Sequence, residues 1–311
     1  MMKMDFETLP MPPMQGWGCG CCVGAVSPQR RVFGAVLLGG AAVAALPAWA
    51  REGVDVGKQS SFTKLVSAEQ VERAATQHYL QLQQQAAEKK ALAPDNHPQL
   101  VRLRAIEQRI RPHTYEWNER ARQWKWEVSL IGSSQINAFC MPGGKIAFYF
   151  GILDKLQLND DEVAMIMGHE AAHALREHAR ERMGKNMATR GVVEIGSALF
   201  GLGNFGRAAA DITGQLATLK FGREDESEAD LIGMELAARA GYDPGAGVTL
   251  WQKMAAASKG APLQFLSTHP TGPTRIKDIE ANLHLVEPLY ARADRPPQRF
   301  APPKAAAAKA G

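Results

Sequence analysis

The sequence of 311 residues contains only four cysteines, no strong excess of one charge and no long apolar run. Three cysteines (Cys19, Cys21 and Cys22) lie near the N-terminus, so the remainder has Cys140 alone and we expect no internal disulfide. The formal net charge of +4 comes from basic residues interspersed with acidic ones, which argues against nucleic-acid binding. The apolar run Val32–Leu46 is 15 residues long, fewer than the ~20 that cross a bilayer as a helix.

The residues around this apolar run are typical of an export signal. Arg30 and Arg31 precede the run, and Ala48-Trp49-Ala50 forms a small-x-small cleavage site. The two arginines also resemble a twin-arginine signal. The alternative is an N-terminal membrane anchor that is not cleaved. In both cases the bulk of the chain lies outside the cytoplasm, and we predict a signal peptide over residues 1–50, a polar linker over 51–66 and a periplasmic location.

Helical periodicity begins after the linker. Ser67-Ala68-Glu69-Gln70 has the pattern of a capping box and predicts a long helix to about residue 91. Apolar residues at helical spacing predict a second helix over about 100–111. The chain is again helical in pattern from Asn159 to about residue 285.

A change of period between these helices indicates a small sheet. Apolar and polar residues alternate from Trp124 to Leu130, and short strands are expected over 136–140 and 145–150, around the Pro142-Gly143-Gly144 turn. We therefore predict a mostly α domain with a small β-sheet, an α+β fold, over residues 67–290. The segment 291–311 is rich in Pro, Ala and Lys and is predicted to be a disordered tail.

The strongest chemical signal is the sequence His169-Glu170-Ala171-Ala172-His173. Residues four apart lie on the same face of a helix, so both imidazoles can reach one Zn²⁺ ion at about 2.0–2.1 Å. Glu170 lies near the metal and can take a proton from a zinc-activated water. Nearly all other residues from Val163 to Leu175 are apolar or Gly, which predicts a buried helix, and Gly168 indicates close approach of another backbone.

A hydrolytic zinc site requires a third protein ligand and an open position. The acidic segment 224–230 is the best source, and its spacing leaves Glu224, Glu226 and Glu228 open as ligands. Asp230 lies four residues after Glu226, so one of these two can bind zinc while the other accepts a hydrogen bond from a liganding histidine. His178 stands among charged residues and is predicted to be a surface residue.

Together these motifs resemble the HtpX-type and CAAX-endoprotease family of zinc metallopeptidases, metallopeptidase family 48, and within it the soluble periplasmic BepA/LoiP-like branch. The resemblance rests on the His169 motif, on Glu226-x-x-Ala229-Asp230 and on Ser267-Thr268-His269-Pro270 followed by Arg275-Ile276. It extends to Asn137-Ala138-Phe139 with the Pro142 turn. The resemblance implies a zincin-like fold, one Zn²⁺ ion per chain and a gluzincin ligand set.

The resemblance also implies roles for individual residues. Glu226 would be the third zinc ligand, with Asp230 as its outer partner. His269 would stabilise the oxyanion or, in a resting state, bind the zinc and block it, and Arg275 would orient His269. The segment Gly144–Phe150 would be an edge strand along which an extended peptide lies. The expected substrate-binding residues are Asn137, Ala138, Gly144, Lys145, Ile146 and Ala147.

The predicted function is that of a zinc-dependent metalloendopeptidase that hydrolyses misfolded cell-envelope proteins. Its predicted partners are unfolded polypeptides, with possible association with the outer or inner membrane and no nucleic acid. The alternative is a periplasmic chaperone-like binding protein with latent or minor protease activity. The Gly-rich apolar segment 190–220 is interpreted either as a mobile cover over the cleft or as a buried helical hairpin.

Overall fold

The computed structural model describes residues 51–194, 220–259, 263–270 and 274–304. The predicted signal peptide and residues 195–219 of the predicted cover lie outside these ranges. The helices are α1 (Ala68–Glu88), α2 (Pro98–Ile110), α3 (Phe150–Leu156), α4 (Asp160–Leu175), α5 (His178–Glu194), α6 (Arg223–Arg239), α7 (Ala246–Ser258), α8 (Gln264–Thr268) and α9 (Arg275–Arg292). The strands are β1 (Glu127–Ile131), β2 (Ala138–Met141) and β3 (Lys145–Tyr149). The predicted mostly helical fold with a small sheet is confirmed.

The three strands form one sheet in the order β1-β3-β2. β3 pairs in parallel with β1 and antiparallel with β2. The antiparallel pairing follows from a tight reversal between β2 and β3, where Gly143 and Gly144 adopt φ values of +88° and +73°. The prediction that Gly144–Phe150 forms an edge strand is therefore wrong. A strand with a neighbour on each side has no free main-chain groups for a peptide, and the two edge strands of the sheet are β1 and β2.

The two faces of the sheet are covered by different helices. Ile146 and Phe148 of β3 point into the main core with α2 and α4, whereas Ala147 and Tyr149 face α1. The hydroxyl of Tyr79 on α1 donates to the carbonyl oxygen of Ile146 at 2.7 Å, which fixes the helix to the sheet. Successive residues of β3 thus point to two buried faces of the sheet, each covered by different helices.

Helix α4 runs through the centre of the domain. Asn159 caps it, and a capping box joins Asn159 to Glu162, as the acidic first turn favours. Asp160 is buried and pairs with the fully buried Arg102 at 2.7 Å. The predicted buried helix is confirmed, since every residue from Glu162 to Leu175 is buried.

Two glycines allow α4 and α6 to pack with their backbones in contact. A Cβ atom on Gly168 would lie 2.7 Å from the carbonyl oxygen of Gly233, and one on Gly233 would lie 2.7 Å from the backbone nitrogen of His169. Both distances are shorter than real Cβ contacts. This close approach, expected from Gly168, brings the histidines of α4 next to the acidic residues of α6.

The segments at both ends of the described chain, where the sequence predicted a polar linker and a disordered tail, contact the domain, and residues 305–311 of that tail lie outside the described ranges. Val54 is 2% exposed, and its N–H donates to Glu235 at 2.9 Å. At the other end, α9 extends to Arg292, and the N–H of Phe300 donates to Asp160 at 2.8 Å. Composition alone did not predict these contacts because they use main-chain groups and distant carboxylates. Among the described residues, no helix is long and apolar enough to cross a membrane.

Candidate metal centre

Four side chains from three parts of the chain converge between α4 and α6. His169 and His173 come from α4, Glu226 comes from the first turn of α6, and His269 follows α8 directly. Each is 2–3% exposed. One ligand atom from each residue lies within 4.8 Å of the ligand atoms of the other three. Glu226 is therefore the acid that the fold brings to the histidines.

The distances between these atoms match a tetrahedral site. Bonds of 2.0–2.1 Å to a tetrahedral zinc ion place neighbouring ligand atoms about 3.4 Å apart. Nε2 of His169 lies 3.1 Å from Nε2 of His173 and 3.3 Å from Nδ1 of His269. The carboxylate of Glu226 lies 3.5 Å from Nε2 of both His169 and His173, and 3.1 Å from Nδ1 of His269. The residues present therefore fit a zinc ion.

Two buried carboxylate oxygens support this fit. Oε1 of Glu170 makes no hydrogen bond within the protein, and Oε2 of Glu226 makes none either, although it faces Nη1 of Arg275 at 2.9 Å. A buried acceptor left without a partner costs about 1–3 kcal/mol, and more when it is charged. A cation and an attached water at the centre of the cluster would satisfy both oxygens.

The outer nitrogen of His169 is held by a carboxylate and a guanidinium. Nδ1 of His169 lies 3.0 Å from Oδ1 of Asp230, so the ring can donate there while Nε2 faces the cluster. Arg275 donates to Asp230 at 2.5 and 2.7 Å and lies 2.9 Å from Glu226. Its guanidinium also lies over the ring of Trp251, 3.6 Å from the centroid. Arg275 thus orients the two acids, whereas the sequence-based expectation was that it would orient His269.

The outer nitrogen of His173 has a different partner, which the sequence analysis missed. His178, predicted to be a surface residue, is 2% exposed, and its Nδ1 lies 2.9 Å from Nδ1 of His173. Its Nε2 lies 3.3 Å from Glu228, which also accepts from Arg176 at 2.7 Å. With Nε2 of His173 facing the cluster, its Nδ1–H donates to His178, which in turn donates to Glu228. The surface prediction failed because α4 ends at Leu175, so the turn there brings His178 back beside His173.

Two aromatic rings that the sequence analysis did not single out support the histidines. Phe221 stacks on His173 with ring centroids 3.8 Å apart, and Phe265 stacks on His269 at 4.5 Å. These contacts fix the ring planes and keep water from that side of the cluster. The sequence signal for them was weak: Phe221 lies just before the Glu226 motif, and Phe265 lies just before the His269 motif.

The electrostatics of the cluster suit metal binding and base catalysis. Burial lowers the pKa of His173 well below its usual value, which keeps this ring neutral and able to bind a metal. Burial also raises the pKa of Glu170, against the effect of the nearby histidines. Burial alone would raise the pKa of Glu226, but the histidine rings around its carboxylate outweigh that effect and lower the pKa. Glu226 therefore stays ionised, and Glu170 is a stronger base than an ordinary glutamate.

A cleft of about 410 Å³ opens onto this cluster along β2. Asn137 and Ala138, two of the six predicted substrate-binding residues, line it together with Glu170 and His269. The other four predicted residues do not, because they lie in the turn and in the central strand β3: Gly144, Lys145, Ile146 and Ala147. All four are buried, so the structure does not place them at the cleft, and their role in substrate binding stays a prediction.

Comparison with known proteins agrees with this geometry. The chain is 36% identical over 166 residues to the mitochondrial metalloendopeptidase OMA1 of Schizosaccharomyces pombe, covering 50% of this chain and 46% of that one. It is 28% identical over 174 residues to the beta-barrel assembly-enhancing protease of Escherichia coli strain K12, covering 53% and 36%. It thus spans less than half the length of these two relatives. The model of peptidase family M48 matches residues 102–283, which include every residue of the cluster, and the chain therefore belongs to peptidase family M48.

Proposed function

We propose that this protein is a zinc-dependent metalloendopeptidase. The observation that carries the proposal is the near-tetrahedral set of His169, His173, Glu226 and His269, with Oε1 of Glu170 beside it and without a hydrogen bond. His169, His173 and Glu226 would hold the ion. The chemistry that a bound zinc ion supplies is polarisation of the scissile carbonyl and a pKa lowered toward ~7 for the attacking water.

Glu170 acts as the general base. Its pKa is raised by burial, so its carboxylate takes the proton of the attacking water and later passes that proton to the leaving amine. Asp230 accepts from His169 and keeps the Nε2 lone pair of that ring directed to the metal. Arg275 holds Asp230 and Glu226 in place through its two ion pairs.

His269 has a place both in catalysis and in its control. Its Nδ1 lies at the fourth corner of the cluster, and its Nε2 lies 3.4 Å from Glu170. In this position it excludes the substrate carbonyl, so the arrangement corresponds to a resting state. A rotation of the ring away from the cluster would free that corner and place an N–H donor near the developing oxyanion.

The substrate peptide binds along β2 rather than β3. Among the described residues β2 pairs only with β3, so its other side has no strand partner and can pair with an extended peptide. The backbone N–H of Cys140 on this side donates to Glu170, which places the outer edge next to the catalytic base and leaves the main-chain groups of Ala138 and the carbonyl of Cys140 for the peptide. Asn137 and Ala138 lie at one end of that edge.

Unfolded polypeptides are the proposed substrates, because only an extended chain can pair with a strand edge. We propose that the protein is exported and acts on misfolded cell-envelope proteins, and that it is membrane-associated in the alternative case in which the segment before Arg51 is not cleaved. Support comes from the arginine pair and cleavage pattern before residue 51 and from the relative named for β-barrel assembly.

Metal analysis and a matched pair of variants test the function. The purified protein is expected to contain one zinc per chain and to digest casein, and a chelator should stop the digestion. Glu170→Gln should keep the zinc and lose proteolysis, whereas Glu280→Gln, a change at an exposed site on α9, should leave both unchanged. Normal digestion by Glu170→Gln would refute the assignment of the base. Retention of chaperone activity without proteolysis would favour the binding-protein alternative.

A further inference from the structure

The cleft beside the metal cluster continues around the edge of β2 to the opposite face of the sheet. Its lining includes Glu170 and His269 on one face, and it also includes His78 and Leu82 of α1 on the other. The part on the α1 side, which we call the α1 pocket, is formed by His78, Leu82, Phe139, Met141 and Tyr149. The catalytic machinery uses none of these residues.

The pleat of β2 explains why the cleft has two sides. Ala138 and Cys140 point into the main core under the metal cluster, whereas Phe139 and Met141 point toward α1. Side chains of an added strand alternate in the same way. A peptide paired with the free edge of β2 therefore directs every second side chain toward the metal cluster and the intervening ones into the α1 pocket.

The chemistry of the α1 pocket suits an apolar side chain. Leu82, Phe139, Met141 and Tyr149 are each only partly buried and pack against the small core beneath α1, which leaves apolar surface facing the cleft. None of the pocket residues is an acid, a lysine or an arginine. Nδ1 of His78 is buried without a partner, and burial lowers the pKa of this ring, so it is neutral at pH 7.

We propose that the α1 pocket is a substrate subsite that selects apolar side chains at alternate positions of the bound peptide. This inference rests on the proposed peptidase function. The α1 pocket would add a preference for certain substrate side chains that the metal cluster cannot supply, because the pocket lies across β2 from the proposed zinc ligands. Segments with apolar residues at every second position are exposed by unfolded β-strands, so such segments are the preferred substrates.

Leu82 and Leu80 provide a matched pair of variants on the same helix. Leu82 lies one helical turn after His78 and lines the pocket, whereas Leu80 is 54% exposed and does not line the cleft. Cleavage sites in a peptide library should show apolar residues at alternate positions for the unmodified protein. Leu82→Lys should lower kcat/KM for such peptides by roughly 10- to 100-fold, mainly through KM, and should improve cleavage of peptides with Glu at the same position. Leu80→Lys should change neither.

A second variant covers the case in which Leu82→Lys does not fold. Leu82→Ala enlarges the pocket, and it should shift the preference at the same position from Leu toward Phe and Trp. If unmodified protein cleaves the library but Leu82→Lys, Leu82→Ala and Leu80→Lys keep its preference, the subsite is refuted while the peptidase function stands. If unmodified zinc-loaded protein cleaves nothing, the peptidase function itself fails.

Discussion

Replacement of Gly233 by alanine tests the idea that backbone contact between α4 and α6 builds the metal centre. The new Cβ would lie 2.7 Å from the backbone nitrogen of His169 and 3.0 Å from its Cα, and ordinary contact begins near 3.4 Å. The helices would therefore have to separate by about 0.7 Å. Such overpacking costs roughly 1–3 kcal/mol, whereas alanine gains about 1 kcal/mol over glycine within a helix. The expected net effect is a loss of about 1 kcal/mol of folding free energy.

The informative result is whether Gly233→Ala lowers or raises the free energy of unfolding. Calorimetry of the metal-free protein should show a Tm lower by about 2–4 °C for each kcal/mol lost. Zinc affinity, measured by competition with a chelator, should also fall, because Glu226 and the two α4 histidines move apart. Gly247→Ala is the control, since its Cβ would meet the flexible end of Met165 at 3.0 Å and Ile279 at an ordinary contact distance of 3.5 Å. A Gly233→Ala protein with a higher Tm and unchanged zinc affinity would refute the reasoning.

Two further predictions concern buried polar contacts. His178→Ala should weaken zinc binding by about 10- to 100-fold in the chelator competition, because His173 loses the acceptor for its outer N–H. The control is His284→Ala, a change at an exposed histidine. Equal zinc affinities for both variants would show that His178 does not position His173. Arg102→Ala should reduce the free energy of unfolding by about 3–5 kcal/mol, because Asp160 would keep a buried charge without its partner. Denaturant titration measures this loss, and a loss below about 1 kcal/mol would mean that water or Phe300 compensates the carboxylate.

Local signals predicted much of the fold and the centre of the site. Ser67, predicted to open a helix, is the N-cap of α1, and the apolar surroundings of His169 correctly predicted a buried helix. These features depend on residues within one or two turns, so they can be read from the chain directly. The family resemblance correctly identified peptidase family M48, which the family model matches.

The errors share a different physical cause. β3 was expected at the edge of the sheet, but strand order depends on which segments pair after the chain reverses at Gly144. His178 was expected at the surface, but its burial depends on a turn and on Glu228, fifty residues away. The packing of 293–304 depends likewise on contacts with α4.

The sequence by itself determined the kinds of ligand and the helix that carries two of them, because residues four apart in a helix always share a face. Spacing alone left Glu224, Glu226 and Glu228 open as the third ligand, and the family resemblance named Glu226. Only the tertiary structure decided which of these acids lies beside the histidines. The contact of Gly168 with Gly233 sets how closely α4 and α6 approach, and at that distance the carboxylate of Glu226 meets the imidazoles while Glu228 turns to His178 and Arg176.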